Sequence, residues 1–217
     1  MGNCFRMDKL KQLHVCVPLY GYVPAQSMLS FMKLFGYAPK YFERIAFHAI
    51  DGAYVHLTRR KIAASVLREP LQDQDYMLWI DQDMVFEEND FKRLVESAVA
   101  NPNDIVAGYY VSKHAAPKAV AFLKTGQGFE PLKAVPENQL IQVDSTGMGF
   151  MIVPTSALHS MVREHGLESV FNLKDRQTGI EMGEDFLFCT LAKRKGHDVL
   201  LHTGIALGHA GAIAFPR

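Results

Sequence analysis

Two aspartates separated by one residue follow an apolar run near the middle of the sequence. The run extends from Tyr76 to Ile80, and the aspartates are Asp81 and Asp83. Side chains two residues apart on an extended strand lie on the same face, so these carboxylates are expected side by side, where they repel one another. A hard divalent cation with oxygen ligands relieves such repulsion. The pattern therefore predicts a Mg²⁺ or Mn²⁺ site that carries the phosphates of a substrate.

A purely structural explanation of the same pair is also open. An aspartate pair after a strand can open a turn and cap the next helix, and residues suited to a helix start do follow at 87–90. A lone D-x-D is a weak signal. The rest of the chain has to decide between the two explanations.

Two later groups also carry side chains suited to chemistry. Glu184 and Asp185 open an otherwise apolar helix, where capping and the helix dipole also favour acidic residues. His209 lies between glycines in the segment LGHAG, where the backbone can approach a ligand closely. Each group is a candidate for function, with an ordinary structural role as the alternative.

The elements that must position these residues alternate between strand and helix in the first half of the chain. Apolar runs predict strands at 13–19, 44–50, 76–80 and 105–111. Between them we expect a helix that starts at Pro24 and ends at Gly36, a second at 58–67 and a third at 91–99. This alternation is typical of a parallel doubly wound sheet, whose ligands bind outside the carboxyl ends of the strands. The aspartate pair and the YGY loop at 20–22 fall at that edge.

The second half of the chain has a different pattern. Short strands at 119–123, 140–143 and 148–153 predict a mixed or antiparallel extension of the sheet. Helices at 158–162 and 182–195 and a strand at 198–202 follow. The fold class is therefore α/β, with a Rossmann-like, mostly parallel central sheet flanked by helices. We expect a single domain over 1–217, in which 1–111 form the nucleotide-binding half and 112–217 the acceptor and catalytic half.

The composition limits the classes of function. Of 217 residues, 23 are Lys or Arg and 23 are Asp or Glu, so no net charge attracts nucleic acid or an anionic membrane. The three cysteines, Cys4, Cys16 and Cys189, have neither zinc-ligand spacing nor the pattern of a disulfide framework. The N-terminus has no apolar h-region, and no apolar run reaches the length of a transmembrane segment. We therefore expect a cytoplasmic protein.

Several segments, taken together, resemble the GT-A-type nucleotide-sugar glycosyltransferases, close to family 2. They are VPLYGY, LTRRKIAASVL, LWIDQDMVF, STGMGFMIV, GEDFLFC and LGHAG. They extend from about Val15 to Gly211, and the resemblance rests on their order and spacing. It implies a GT-A-type domain and a metal-dependent, hexosyltransferase-like enzyme. Such an enzyme would move a sugar from a nucleoside-diphosphate sugar, with UDP expected, to an acceptor hydroxyl.

The resemblance also implies a set of metal ligands. Asp83 would ligate the metal on the donor diphosphate, and His209 would be a further ligand. Asp81 would contact the ribose, or the metal through a water molecule. Carboxylates with an imidazole suit Mn²⁺ slightly better than Mg²⁺. The metal would neutralise the leaving nucleoside diphosphate.

The nucleotide would bind near the ends of the first two strands. The resemblance implies that Pro18 and Tyr20 line the nucleobase pocket and that Asp51 lies close by. Arg59 corresponds to the arginine of an A-R-N helix start in the family, although the triplet here reads T-R-R.

The donor sugar and the catalytic base fall in the second half of the chain. The resemblance implies that Gly147 and Gly149 lie beside the sugar, where a side chain would collide, although an ordinary turn also explains them. Asp185 corresponds to the general base that removes the acceptor proton, with Glu184 as a competing candidate. A carboxylate base implies inversion at the anomeric carbon.

Two other functions remain as alternatives. A haloacid-dehalogenase-like phosphatase would use Asp81 as nucleophile and Asp83 as acid. That motif normally opens the chain, and the GEDFLFC and LGHAG segments would have no role in it. A non-catalytic nucleotide-sugar binder with the same fold is the second alternative. The acceptor, whether glycan, lipid, protein or modified nucleobase, and the oligomeric state are not indicated by the sequence.

Overall fold

The computed structural model describes residues 9–70, 74–113, 116–126 and 128–210. The strands within these residues are β1 (Leu10–Leu19), β2 (Phe42–Asp51), β3 (Asp75–Ile80), β4 (Met84–Val85), β5 (Ile105–Tyr109), β6 (Ala121–Thr125), β7 (Gly128–Pro131), β8 (Leu140–Val143), β9 (Ser145–Thr146), β10 (Phe150–Pro154), β11 (Val199–Ala206) and β12 (Gly208–His209). The α-helices are α1 (Ala25–Tyr37), α2 (Val55–Val66), α3 (Glu88–Ala100), α4 (Thr155–His165), α5 (Leu167–Val170) and α6 (Glu184–Arg194).

Seven strands form one central sheet in the order β2-β1-β3-β10-β5-β11-β8. β1 pairs in parallel with β2 and β3, and β5 pairs in parallel with β11. β10 is antiparallel to both β3 and β5, and β8 is antiparallel to β11. A smaller antiparallel sheet, β7-β6-β9, lies beside this sheet in the chain's second half. The predicted α/β class, with its antiparallel extension, is confirmed.

Helices cover both faces of the central sheet. Every residue of β3 is buried, because helices pack against both of its faces. On one face, Ile62 of α2 belongs to the same apolar cluster as Leu158 of α4 and Leu187 of α6. On the other face, Phe31 of α1 and Leu94 of α3 share a second cluster. The apolar run before the acidic pair is therefore the centre of the fold, which gives the residues that follow it a rigid support.

The helix boundaries differ from the sequence expectation at α1. This helix continues through Gly36 to Tyr37 and passes into a 3-10 turn over Ala38–Lys40, so the prediction that Gly36 ends it was wrong. Pro39 within that turn lacks the N–H that a further helical turn needs. Pro24 is the residue before the helix and not its first residue. Gly166 follows α4 with a φ of 75°, a conformation that favours glycine, and ends that helix.

Both halves of the chain contribute to the central sheet. β10 and β11, from residues 112–217, pair with β3 and β5, from residues 1–111. The assignment of a nucleotide-binding half and a catalytic half stays a prediction. Cys16 and Cys189 are buried free thiols, whereas Cys4 and Gly211 lie outside the described residues. In the described part of the chain, no helix combines the length and the apolar character that crossing a bilayer requires.

Candidate active site

The acidic pair lies at the carboxyl end of β3, but its backbone is not extended. β3 ends at Ile80, and the N–H of Met84 donates to the carbonyl of Asp81 at 3.1 Å. This bond closes a turn over the pair. The expectation of two side-by-side carboxylates on an extended strand was therefore wrong. Each carboxylate instead has cationic partners of its own.

Asp83 lies between His209 and Lys113. Nε2 of His209 is 3.5 Å from Oδ1 of Asp83, and Lys113 forms an ion pair with Oδ2. The backbone holds this arrangement, because His209 pairs with Met84 in the β4–β12 ladder and the N–H of Ala210 donates to the Asp83 carbonyl at 2.7 Å. Burial raises the pKa of Asp83, but the hydrogen bonds from His209 and Lys113 outweigh burial and hold it below its ordinary value.

The His209 ring is oriented with Nε2 toward Asp83, an arrangement in which that nitrogen could serve as a metal ligand. Its Nδ1 lies 3.1 Å from the carbonyl oxygen of Val111, which makes Nδ1 the protonated donor and leaves a lone pair on Nε2. The protonated ring donates from Nε2 toward Oδ1 of Asp83, 3.5 Å away, whereas in the neutral ring the lone pair of Nε2 faces that oxygen. A shared cation relieves that contact, and a set of one imidazole and one carboxylate fits Mn²⁺.

Asp81 is held by a buried arginine. Arg59 is 3% exposed and donates from Nη2 to Oδ1 of Asp81 at 2.8 Å and from Nη1 to Oε1 of Glu184 at 2.5 Å. Its guanidinium therefore joins α2, the turn after β3 and the start of α6. Burial alone lowers the pKa of Arg59, but the carboxylates of Asp81, Glu184 and Asp185 raise it above its ordinary value.

Asp185 lies next to this bridge, in the first turn of α6. Its Oδ1 accepts a hydrogen bond from the N–H of Phe186 at 2.8 Å. Burial, aided by repulsion from Glu184, raises the pKa of Asp185 to about 6 in spite of the opposing effect of Arg59. A carboxyl group with a pKa this close to neutrality is suited to proton transfer.

A cavity of about 300 Å³ lies where β1 and β2 end. Its lining residues are Pro18, Leu19, Tyr20, Gly52, Ala53 and Val55. Two of the three residues expected at the nucleobase, Pro18 and Tyr20, therefore line it. Asp51 is exposed and directly precedes the lining residue Gly52. A nucleobase role for these residues stays a prediction.

Sequence reasoning missed two side chains of the site. Gln82 donates from Nε2 to the carbonyls of Tyr20 at 2.5 Å and Tyr22 at 3.0 Å, and its Oε1 accepts the Tyr20 N–H at 2.5 Å. It thereby joins the acidic turn to the loop beside the cavity. In the sequence, only its position between the two aspartates indicates that it belongs to the site. Lys113 was missed because it lies in an irregular segment after β5, where no pattern marks it.

Gly147 and Gly149 enclose the hydroxyl group of a buried tyrosine. The N–H of Gly149 donates to Oη of Tyr110 at 3.1 Å. A Cβ atom added at Gly147 would lie 2.0 Å from that oxygen, and one added at Gly149 would lie 2.9 Å from it. Packing against Tyr110 is thus one reason for glycine at both positions. Contact with a donor sugar stays a prediction.

Replacing Gly147 with alanine is expected to destabilise the protein by roughly 2 to 3 kcal/mol, because the added Cβ would collide with Tyr110, which is buried in an apolar cluster. Thermal unfolding measures the effect, which for a chain of this size is a Tm lower by roughly 5 to 10 °C. Gly36→Ala is the matched control, since a Cβ there meets nothing within 4 Å and lies inside α1. The control is expected to gain roughly 0.5 to 1 kcal/mol. A Gly147→Ala protein as stable as the unmodified chain would contradict the packing described here.

Comparison with known proteins supports the fold of the chain. No family model and no curated protein matches the sequence. Among solved structures, A197 from STIV has a TM-score of 0.61 at 20% identity, over 93% of this chain and 86% of that one. GalNAc-T7, solved with UDP, GalNAc and Mn²⁺, has a TM-score of 0.62 at 11% identity, over 93% of this chain. The match covers only 44% of the GalNAc-T7 chain. The GT-A-like fold predicted from the sequence is confirmed.

Proposed function

We propose that this protein is a metal-dependent glycosyltransferase that moves a sugar from a UDP-sugar to an acceptor hydroxyl. The observation that carries the proposal is the meeting of Asp83 and His209, two residues far apart in the sequence, at the carboxyl edge of a GT-A-like sheet. The presence of UDP and Mn²⁺ in the GalNAc-T7 structure, which has a similar fold, supports the choice of nucleotide and metal.

Five side chains have proposed roles in holding the donor. Asp83 and His209 hold Mn²⁺, which when bound supplies a Lewis acid to the leaving diphosphate. Lys113 forms an ion pair with Asp83, and its ammonium group binds the phosphates. Arg59 holds one oxygen of Asp81 and leaves the other for a ribose hydroxyl.

Asp185 is the proposed general base, in preference to Glu184. Glu184 is held by Arg59 at 2.5 Å, so its charge is already compensated. Asp185 has the raised pKa of about 6 and takes the proton of the acceptor hydroxyl as that oxygen attacks the anomeric carbon. The bond from that carbon to the diphosphate breaks as the new bond forms. Attack from the side opposite the leaving group inverts the anomeric centre.

The rate of transfer is expected to depend on the ionisation of Asp185. Because its pKa is about 6, the rate should rise with pH below that value and level off above it. Asp185→Asn should lower turnover by roughly 10²-fold to 10⁴-fold. Steady-state rates between pH 5 and pH 8 measure both effects. Glu181→Gln, which alters an exposed carboxylate nearby in the sequence, is the control. An Asp185→Asn enzyme with ordinary turnover would reassign the base to Glu184.

The raised pKa of Asp185 makes the stability of the protein fall as the pH rises, whereas it makes the rate of transfer rise. Because the folded-state pKa of about 6 lies above the ordinary value of 3.8, the folded protein binds more protons than the unfolded chain between these pH values. The contribution of Asp185 to stability is therefore complete below pH 3.8 and is lost as the pH rises through about 6. Asp185→Asn should raise the free energy of unfolding by about 1 to 2 kcal/mol at pH 7 and change it little at pH 4. Urea titrations at the two pH values test this, and equal changes at both would contradict it.

The two alternative functions have less support from the site. A haloacid-dehalogenase-like phosphatase normally carries its aspartate motif after the first strand, whereas β1 and β2 precede β3 and Asp81 here. A non-catalytic binder of nucleotide sugars would share all the contacts described above, so only turnover separates it from the proposed enzyme.

A panel of nucleotide sugars, each with and without Mn²⁺, tests the proposed function. One of them is expected to raise the Tm only when Mn²⁺ is present, because a ligand that binds the folded state stabilises it. Release of nucleoside diphosphate from that donor is then measured alone and with candidate glycan, lipid, protein and nucleic acid acceptors. Binding without release would identify a binder. Hydrolysis of a phosphomonoester, without any response to nucleotide sugars, would identify a phosphatase.

A further inference from the structure

Three side chains with metal-binding atoms meet away from the acidic turn. They are His14 on β1, His48 on β2 and Glu69, shortly after α2. Nδ1 of His14 lies 3.0 Å from Nε2 of His48, and that nitrogen lies 3.8 Å from Oε1 of Glu69. One ligand atom from each residue lies within 4.8 Å of the other two. In a tetrahedral zinc site with bonds near 2.0 Å, ligand atoms lie about 3.3 Å apart, so little movement is needed to admit the ion.

This cluster is separate from the site proposed for the donor. His14 pairs with Met77 of β3, which precedes Asp81 by four residues. At about 3.3 Å per residue, the cluster lies on the order of 13 Å along the sheet from the acidic turn. None of its three residues has a role in the proposed transfer reaction.

A neighbouring hydroxyl group sets the orientation of the His48 ring. Ser65 donates its single proton to the carbonyl of Ile62 at 2.7 Å. Its oxygen, 3.1 Å from Nδ1 of His48, must therefore accept a hydrogen bond from that nitrogen. The lone pair of the neutral ring is consequently on Nε2, which is the atom that faces His14 and Glu69. Metal-binding histidines are oriented in this way by a partner on the second nitrogen.

An amide group orients the third side chain. Gln12 donates from Nε2 to Oε2 of Glu69 at 2.9 Å, which leaves Oε1 directed to the histidines. Exposure increases across the cluster, from 1% for His14 to 12% and 39% for the side chains of His48 and Glu69. An ion can therefore enter from the Glu69 side, and a water molecule can complete a four-coordinate site.

We propose that His14, His48 and Glu69 form a second metal site, selective for Zn²⁺ or a similar late transition ion. Two imidazole nitrogens and one carboxylate oxygen suit such ions better than Mg²⁺ or Mn²⁺, which prefer oxygen ligands. The ligands come from two neighbouring strands and the segment that follows the helix covering them. A bound ion therefore connects these elements and stabilises the nucleotide-binding half of the sheet.

Titration of the tag-free, chelator-treated full chain with Zn²⁺ tests this site by calorimetry and thermal unfolding. We expect one tightly bound Zn²⁺ per chain, in addition to any weaker Zn²⁺ at the Asp83–His209 pair, and a larger rise in Tm than Mn²⁺ gives at the same concentration. Co²⁺ in place of Zn²⁺ should give the visible absorption of a four-coordinate ion. Glu69→Gln and His48→Gln should each weaken binding at least tenfold. His159→Gln, which alters an exposed histidine on α4, should leave binding unchanged.

Two further variants keep the result interpretable. Ser65→Ala removes only the partner that orients His48, and it should weaken Zn²⁺ binding by about tenfold even if a variant of the ligands themselves does not fold. Asp83→Asn should keep the tight Zn²⁺ site unchanged and lose only weaker binding at the Asp83–His209 pair, which separates this site from the donor site. No binding by the unmodified chain, or equal binding by the His48, Glu69 and Ser65 variants, would overturn the proposal. None of these measurements needs a nucleotide sugar, so failure of the proposed transferase function would not affect them.

Discussion

Asp83→Asn is expected to lower Mn²⁺-dependent sugar transfer by about a thousandfold or more. The substitution keeps the shape of the side chain but removes the charge that the ion requires. A Lewis acid contributes several kcal/mol of stabilisation to the developing diphosphate charge, and about 4 kcal/mol corresponds to a thousandfold in rate. The variant should also lose the Mn²⁺-dependent rise in Tm with the donor. Initial rates over a range of Mn²⁺ concentrations measure the first effect, and thermal unfolding measures the second.

The fold should survive this change. Asp83 is partly exposed, and its ion pairs with Lys113 and His209 are of the kind that contributes about 1 kcal/mol or less. Glu96→Gln is a suitable control, because that carboxylate is exposed on α3 and its nearest cationic partner, Lys92, is 3.8 Å away. The control should keep ordinary activity. An Asp83→Asn protein with near-normal transfer would refute the role of Asp83 in holding the metal.

Arg59→Met should cause the largest loss of stability, about 3 to 5 kcal/mol. Methionine fills a similar volume but leaves the carboxylates of Asp81, Glu184 and Asp185 together without their shared cation. Removing one partner from a buried ion pair is far more costly than the pair itself is favourable, because an uncompensated charge remains. Urea titration at pH 7 measures the loss. Arg68→Met, which alters an exposed arginine just after α2, should stay within about 0.5 kcal/mol of the unmodified chain.

The pH dependence of this loss identifies its cause. In Arg59→Met, repulsion raises the pKa values of the carboxylates in the folded state above their unfolded values. The folded variant then binds the additional protons, so its stability recovers as the pH falls toward 5. Arg59→Lys should lie between the two proteins, because one compact ammonium group cannot reach two carboxylates as a guanidinium fork does. A deficit that is the same at pH 5 and pH 8 would mean that packing, and not charge, is responsible.

Local patterns in the sequence were sufficient to predict most of the fold. The fully apolar run at 76–80 corresponds to β3, and the apolar spacing at 91–99 corresponds to α3. The insertion of β10 between β3 and β5 was not predictable from such patterns, because strand pairing depends on contacts between residues far apart in the chain. Gly36 was misjudged for a local reason, since glycine also fits inside a helix when the following residues continue it.

The candidate site was predictable only in outline. Family resemblance indicated that His209 lies near Asp83, and the structure brings the two together. The partner of Asp81 was not predictable, because a turn replaces the extended backbone that was assumed and Arg59 takes up the carboxylate. Arg59 and Glu184 are 125 residues apart, and hydrophobic periodicity in the sequence cannot predict a contact over that separation. His14 and His48 were overlooked because they lie 34 residues apart on separate strands, and no local pattern indicates that their rings meet.

The Gln82 side chain has a consequence for how two ligands influence one another. Its amide holds the Tyr20–Tyr22 loop and is covalently part of the turn that bears Asp83. A nucleobase that ordered the loop would therefore also order the turn, and a cation that ordered the turn would also order the loop. Thermodynamic reciprocity requires that each ligand change the affinity of the other by an identical factor. If the chain binds nucleotide and cation as proposed, we therefore expect their uptake to be cooperative through Gln82, the middle residue of the motif.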